Sequence, residues 1–128
     1  MTLLAAAPAW AVDAHTSWAW VVVVSNGLVG AWALAAERYP RVRSPWLWRA
    51  TAAAEIAIFV QVALGVLVIQ GRDVEAYQMH VFYGFVAAFT VAIVYSYRNQ
   101  LKGRWYLLYG FGGLFLMGLA LRATYLHR

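Results

Sequence analysis

The stretch WLWRATAAAEIAIFVQVALGVLVIQ, residues 46–70, contains only two charged side chains, Arg49 and Glu55. About 20 consecutive apolar residues are enough for an α-helix to cross the hydrocarbon core of a bilayer. Lipid offers no water to backbone N–H and C=O groups, so a helix, whose backbone bonds are internal, is the favoured structure for such a run. The stretch therefore predicts a membrane-spanning helix.

The whole chain has a similarly apolar composition. Of its 128 residues, 64% are hydrophobic and 12% are charged, whereas a soluble domain carries about 25% charged residues. A small domain cannot bury this much apolar surface in one core. The sequence has no cysteine, which excludes disulfides, thiolate metal sites and cysteine nucleophiles. It also has no glycine-rich phosphate loop and no G-x-S-x-G motif, so we predict no catalytic residue.

Three further apolar runs have the length of a span, at about 16–36 with an alternative start near Ala11, at about 74–95 and at about 105–123. Short loops make sequential helices antiparallel neighbours, so the predicted fold is all-α, an up-down four-helix bundle in the membrane. It forms one domain over residues 1–128. The segment MTLLAAAPAWA, residues 1–11, has the small residues of a signal peptide but no basic n-region, and is predicted to lead into the first helix.

The charges of the loops predict an orientation. Basic residues exceed acidic ones in the first loop, and the third loop has Arg98, Lys102 and Arg104 with no acid. The second loop balances Arg72 with two acids. Because Lys and Arg accumulate in cytoplasmic loops, loops one and three are predicted inside, and both termini outside. This topology also accounts for the net charge of +5, because the basic residues lie in loops between apolar runs. We therefore do not predict nucleic-acid binding.

Two histidines are the first candidates for a site, because ionisable groups inside spans are costly and mark function. His15 and His80 each lie near the start of a span, and these spans run in the same direction. We therefore predict similar depths on the outer side, as a weak repeat of the two halves also indicates. Two imidazoles facing each other across a bundle can bind a haem iron as metal ligands. The alternative is two interfacial histidines bonded to water or loop carbonyls.

Arginines near the same end are candidates for binding the anionic propionates of a haem, since the guanidinium is a bidentate donor. Arg122 lies near the outer end of the fourth span, and Arg72 lies in the second loop. The alternative for Arg122 is that its side chain snorkels to the lipid headgroups.

Other polar residues fall deeper in the spans. Gln61 and Asn26 lie near mid-membrane and predict amide bonds between helices, or contact with the edge of a ligand. Glu55 is predicted either to carry a proton or, as we favour, to form an ion pair with Arg49 or Arg104 near the inner interface. The glycines of the spans predict close helix approach, or room for a flat macrocycle.

A family resemblance covers residues 60–89, VQVALGVLVIQGRDVEAYQMHVFYGFVAAF. Gln61, Gly65 four residues later, a short loop and then His80 resemble the second and third helices of a half-unit of the haem A synthase family, and His15 after Asp13 resembles the preceding helix. The resemblance implies a four-helix haem-binding unit with His15 and His80 as iron ligands. The family has two units in one chain and often a cysteine pair, whereas this chain has one unit and no cysteine. A single haem-b unit is therefore expected, rather than haem A synthesis.

Two functions of different classes are compatible with these features. The first is a haem-b membrane cytochrome, which transfers electrons between a quinone or a redox subunit and a partner, or handles haem. The second is a non-catalytic accessory subunit of a respiratory membrane complex, as the short loops suggest. Both predict the cell membrane as location, and contacts with other subunits or a second copy. A small transporter is less favoured, because Pro8, Pro40 and Pro45 lie outside the span cores.

Overall fold

The computed structural model describes residues 9–69 and 78–126, which form four long α-helices and, within these two ranges, no β-strand. The helices are α1 (Ala9–Arg38), α2 (Pro45–Ile69), α3 (Gln78–Tyr97) and α4 (Trp105–Leu126). Short 3₁₀ turns at Pro40–Val42 and Lys102–Arg104 precede α2 and α4. The predicted all-α fold is confirmed.

All four helices are long and apolar enough to cross a membrane. Large apolar side chains point away from the bundle on every helix, and Leu28, Ile56, Phe89 and Phe111 are each more than 60% exposed. A contiguous apolar surface of this kind would promote aggregation in water, whereas lipid tails solvate it. The chain is an integral membrane bundle, as its sequence predicts.

The helices follow one another around the bundle. α1 packs most extensively on α4 and then on α2, and α4 also packs on α3, whereas α2 and α3 touch only sparsely. α1 and α3 therefore lie diagonally opposite each other. The sparse contact between α2 and α3 leaves one side of the bundle loosely closed.

Glycines produce the tight crossing of α1 and α4. A Cβ atom added to Gly113 would lie 2.8 Å from Cα of Gly30 and 2.9 Å from the carbonyl oxygen of Asn26. One added to Gly30 would lie 2.9 Å from the carbonyl oxygen of Gly110. Only hydrogen fits between backbones at these distances, so the predicted close helix approach is confirmed at this crossing.

Tryptophan side chains fasten the loops at the end of the bundle that carries residues 39–44 and 98–104, here called the basic end. Trp32 donates a hydrogen bond of 2.8 Å to the carbonyl of Val42, and Trp105 donates one of 2.7 Å to the carbonyl of Arg98. Their indole N–H groups satisfy loop carbonyls at the level where an amphipathic ring sits best in a bilayer.

The helices extend beyond some predicted spans. α1 begins at Ala9, close to the alternative start predicted near Ala11, and α4 continues to Leu126 beyond residue 123. A helix keeps its backbone bonds satisfied outside the hydrocarbon as well as inside it, so apolar content does not fix where it ends. Three predictions fall outside the described residues: the lead-in at 1–8, the loop that contains Arg72, and the start of the third span at 74–77.

Candidate functional site

His15 and His80 meet in the interior of the bundle, at the end opposite the basic end. Their imidazole centroids lie 5.7 Å apart, with ring planes at 85° to each other. His15 is on α1 and His80 on α3, so the two rings approach from diagonally opposite helices. His15 is buried, with 8% of its surface exposed. The structure thus brings together the two histidines that the sequence singles out.

The ring of His80 is oriented by α4. Its Nδ1 atom lies 2.7 Å from the carbonyl oxygen of Ala123. A carbonyl can only accept, so Nδ1 carries the proton and donates it to this bond. In the neutral ring the lone pair is then on Nε2, as in metal-binding histidines whose other ring nitrogen donates to a carbonyl oxygen.

Contacts from α2 hold His15. Gln61 donates a hydrogen bond of 2.8 Å from Nε2 to the carbonyl oxygen of His15. Gly65, one turn further along α2, faces the imidazole itself: a Cβ atom at this position would lie 3.2 Å from its Cε1 atom. The glycine therefore leaves room for the ring, and the glutamine fixes the backbone that carries it.

A cavity of about 140 Å³ surrounds the two rings. Its walls come from all four helices and are mostly aliphatic, and it extends between α2 and α3, where Gly65 and Gly84 face it. A Cβ atom on Gly84 would meet no atom within 4 Å. Gln61 also lines the cavity, and its Oε1 atom is buried without a hydrogen-bond partner among the described residues. The cavity is thus apolar, with a few polar atoms close to the histidines.

Arg122 is placed differently from the other predicted site residues. Its side chain is exposed, and it is not among the described residues that line the cavity. Its neighbours Ala123 and Thr124 do line the cavity, so Arg122 lies beside the cavity's α4 wall and outside it. A role in binding propionates stays a prediction.

The two mid-membrane amides bond between helices, as predicted, but not to each other. Asn26, 1% exposed, donates from Nδ2 to the carbonyl oxygens of Val22 at 3.0 Å and of Ala54 on α2 at 3.2 Å. Gln61, on α2, donates from its side-chain amide to the backbone carbonyl oxygen of His15 on α1. Both amides therefore join α1 to α2, and only Gln61 reaches the cavity.

The predicted ion pair of Glu55 is not present in the described part of the chain. Arg49 lies over the ring of Trp46, 4.7 Å from its centroid, and Arg104 lines a groove on the outside of the bundle. Residues pair on a helix at a spacing of three or four, whereas Arg49 and Glu55 are six positions apart and project in different directions.

Some residues of the site were not singled out from the sequence. Tyr83 and Ala87 lie three and seven positions after His80, on the same side of α3, and both line the cavity. Helical periodicity from His80 could have identified them. The carbonyl of Ala123 carries no side-chain signal, and only the packing of α3 on α4 reveals it as a partner.

No family model matches this chain, and no curated protein and no solved structure matches it either.

Proposed function

We propose that this protein is a haem-b-binding membrane protein, with His15 and His80 as the two axial iron ligands, that serves in electron transfer or haem handling. The observation that carries the proposal is the meeting of two imidazoles, from diagonally opposite helices, inside an apolar cavity. Bound haem b supplies one-electron redox chemistry. The protein supplies the ligands, their orientation and a water-poor environment.

The donor set supports a haem in preference to a bare ion. Within residues 9–69 and 78–126 no group of three or more His, Cys, Asp or Glu side chains could hold a metal ion. Structural zinc sites need four protein ligands, and catalytic ones need three. Two histidines suffice only where the remaining ligands belong to the cofactor, as they do in a haem.

The separation of the rings also fits two axial ligands. Two imidazoles that held one iron between them would need to approach each other across the bundle to within a few ångströms of the metal. The observed centroid distance is 5.7 Å. The bond from His80 Nδ1 to Ala123 orients that ring, and Nε2 would be the nitrogen that binds the iron.

The cavity must widen to admit the macrocycle. A volume of about 140 Å³ compares with an engineered apolar cavity of about 150 Å³ that binds benzene, and a porphyrin is several times larger than benzene. α2 and α3, between which the cavity extends, have the sparsest contacts of the neighbouring helices. Separation of these two helices therefore sacrifices little packing, and Gly84, where an added Cβ atom would meet no atom within 4 Å, leaves the α3 face clear for a flat group.

The proposal also assigns a role to Arg122 and an orientation of the bundle in the membrane. Arg122, exposed beside the α4 wall of the cavity, would bind a propionate that projects from it. The basic loops would face the cytoplasm, and the histidine end would face the outer side of the cell membrane. A quinone or another membrane redox subunit is the expected class of electron partner.

The test is an absorption spectrum of the full-length protein, purified in detergent after expression with ample haem, first oxidised and then reduced with dithionite. We expect the sharp reduced α band of a bis-histidine haem b. His15→Ala and His80→Ala should each abolish that band or convert it to a five-coordinate form. His127→Ala, which removes the third histidine, should leave it unchanged.

A spectrum without a haem band, from protein made with ample haem, would contradict the proposal. The function left would then be an accessory subunit that acts by packing in a membrane complex. Pull-down of the tagged protein from solubilised membranes would test this function, because such a subunit must co-purify with stoichiometric partners.

A further inference from the structure

We propose a binding site for an anionic phospholipid in a groove between α3 and α4 at the basic end, here called the α3–α4 groove. Its lining is mostly apolar, and Arg104 lines the end nearest residues 98–104, here called its mouth. It is lined, among others, by Val94, Arg104, Leu108, Phe111, Gly112 and Phe115. This inference does not depend on haem binding, because the groove shares no lining residue with the histidine cavity.

The shape of the groove suits one acyl chain. Gly112 lines the groove where α4 packs closely on α3, since a Cβ atom there would lie 3.2 Å from Cγ2 of Val94. From Arg104 to Phe115 the groove follows α4 for about 16 Å, at about 1.5 Å per residue. That is about half the thickness of a hydrocarbon core of about 30 Å, which is the depth of one leaflet.

The charge at the mouth favours an anionic headgroup. Residues 98–104 contain three basic side chains and no acidic one. Arg98 is already engaged, since it donates a hydrogen bond of 2.8 Å to the Tyr95 hydroxyl and lies 4.1 Å from the centroid of that ring. Lys102 and Arg104 are exposed, and neither forms a hydrogen bond or ion pair through its side chain in the described part of the chain.

The other arginines of the basic end lack this combination. Arg43 donates hydrogen bonds to the carbonyls of Ala36 at 2.6 Å and Glu37 at 3.1 Å, and Arg49 lies over Trp46. Arg104 instead combines an exposed guanidinium with an apolar groove that runs away from it into the membrane. Basic pockets between transmembrane helices are known to bind anionic headgroups, and a guanidinium binds phosphate through two hydrogen bonds.

The experiment measures lipid binding to the full-length protein in mixed micelles by native mass spectrometry. Phosphatidylglycerol is titrated against phosphatidylcholine of the same acyl chains. We expect preferential retention of phosphatidylglycerol. Arg104→Gln should weaken its binding about fivefold, the usual effect of one surface cation on an anionic lipid. Arg41→Gln, which removes an equally exposed charge from the other basic loop, should change binding less than twofold.

A second variant tests the groove itself. Phe115→Ala, which removes an exposed apolar side chain from the groove lining and crowds no neighbour, should reduce binding of phosphatidylglycerol while the helix content, measured by circular dichroism, is kept. Equal loss in Arg104→Gln and Arg41→Gln would overturn the proposal, because only diffuse attraction to a basic surface would remain. Equal retention of both lipids would overturn it too. Full displacement by inorganic phosphate would reduce the site to an anion site without a lipid groove.

Discussion

The Nδ1 atom of His80 lies 2.7 Å from the carbonyl oxygen of Ala123 on the neighbouring helix. This bond joins α3 to α4 and at the same time determines which nitrogen of the ring carries the proton. A structural histidine needs only the first effect, whereas a haem ligand needs both. The two roles can therefore be separated by a side chain that keeps the donor at Nδ1 and lacks Nε2.

Asparagine is such a side chain, because its amide N–H₂ can occupy the place of Nδ1. His80→Asn should keep the bond to Ala123 and preserve most of the stability, while His80→Ala should lose the bond, worth about 1 kcal/mol. Both variants should lose the reduced haem spectrum. Thermal unfolding in detergent, together with dithionite difference spectra, checks both expectations. Retention of a six-coordinate haem in His80→Asn would contradict ligation by His80.

Gly84 distinguishes a ligand cavity from a packing defect. A Cβ atom at this position meets nothing within 4 Å, so the side chain of Gly84→Leu can enter the cavity without displacing protein atoms. We expect unchanged or higher stability without ligand, since added apolar contact fills a void. Haem incorporation during expression should fall at least tenfold, measured as the ratio of haem absorbance to protein. Undiminished incorporation would place the haem elsewhere.

The α1–α4 crossing should be the most sensitive packing contact of the bundle. Gly113→Ala places a methyl group 2.8 Å from the Cα atom of Gly30 and 2.9 Å from the carbonyl oxygen of Asn26. Both are backbone atoms, so neither can rotate away from the methyl group. Overpacking of this kind costs about 1–3 kcal/mol. Gly118→Ala, on the same helix with nothing within 4 Å of its Cβ, is the matched control and should be neutral or stabilising. The midpoints of thermal unfolding in one detergent should differ in this order.

Gln61 should matter more for the site than for the fold. Gln61→Leu loses the bond to the His15 carbonyl but also removes the buried Oε1 atom, which has no partner among the described residues. Loss of the hydrogen bond destabilises the fold, whereas removal of a buried polar atom without a partner stabilises it. The free energy of unfolding should therefore change by less than about 1 kcal/mol. The position of the reduced haem band should shift, because the Gln61 amide lines the cavity. A large loss of stability with an unchanged spectrum would assign Gln61 to the fold alone.

The sequence predicts the features of this structure that depend on the composition of long segments and on the positions of residues within them. Helix number and topology follow from apolar length, and the meeting of His15 with His80 follows from their positions in two parallel helices. Contacts that depend on side-chain direction do not follow. The depth of Glu55 in the span predicts an arginine partner. In the structure, however, the Arg49 side chain lies over the ring of Trp46, and Arg104 lines the α3–α4 groove. The acceptor at Ala123 is a backbone atom, for which the residue type gives no signal.

The glycine-mediated pairing of α1 with α4 also has a consequence for how copies of this chain can be joined. The first and last helices run antiparallel and adjacent, so Ala9 and Leu126 lie at the same end of the bundle. A short connector could therefore link the end of one copy to the start of the next, and both copies would keep the same orientation in the bilayer. A tandem gene duplication would give two sites in one polypeptide of eight spans, and the connector between the copies would not have to cross the membrane. For the same reason, a circular permutant opened within residues 98–104 keeps an even number of spans.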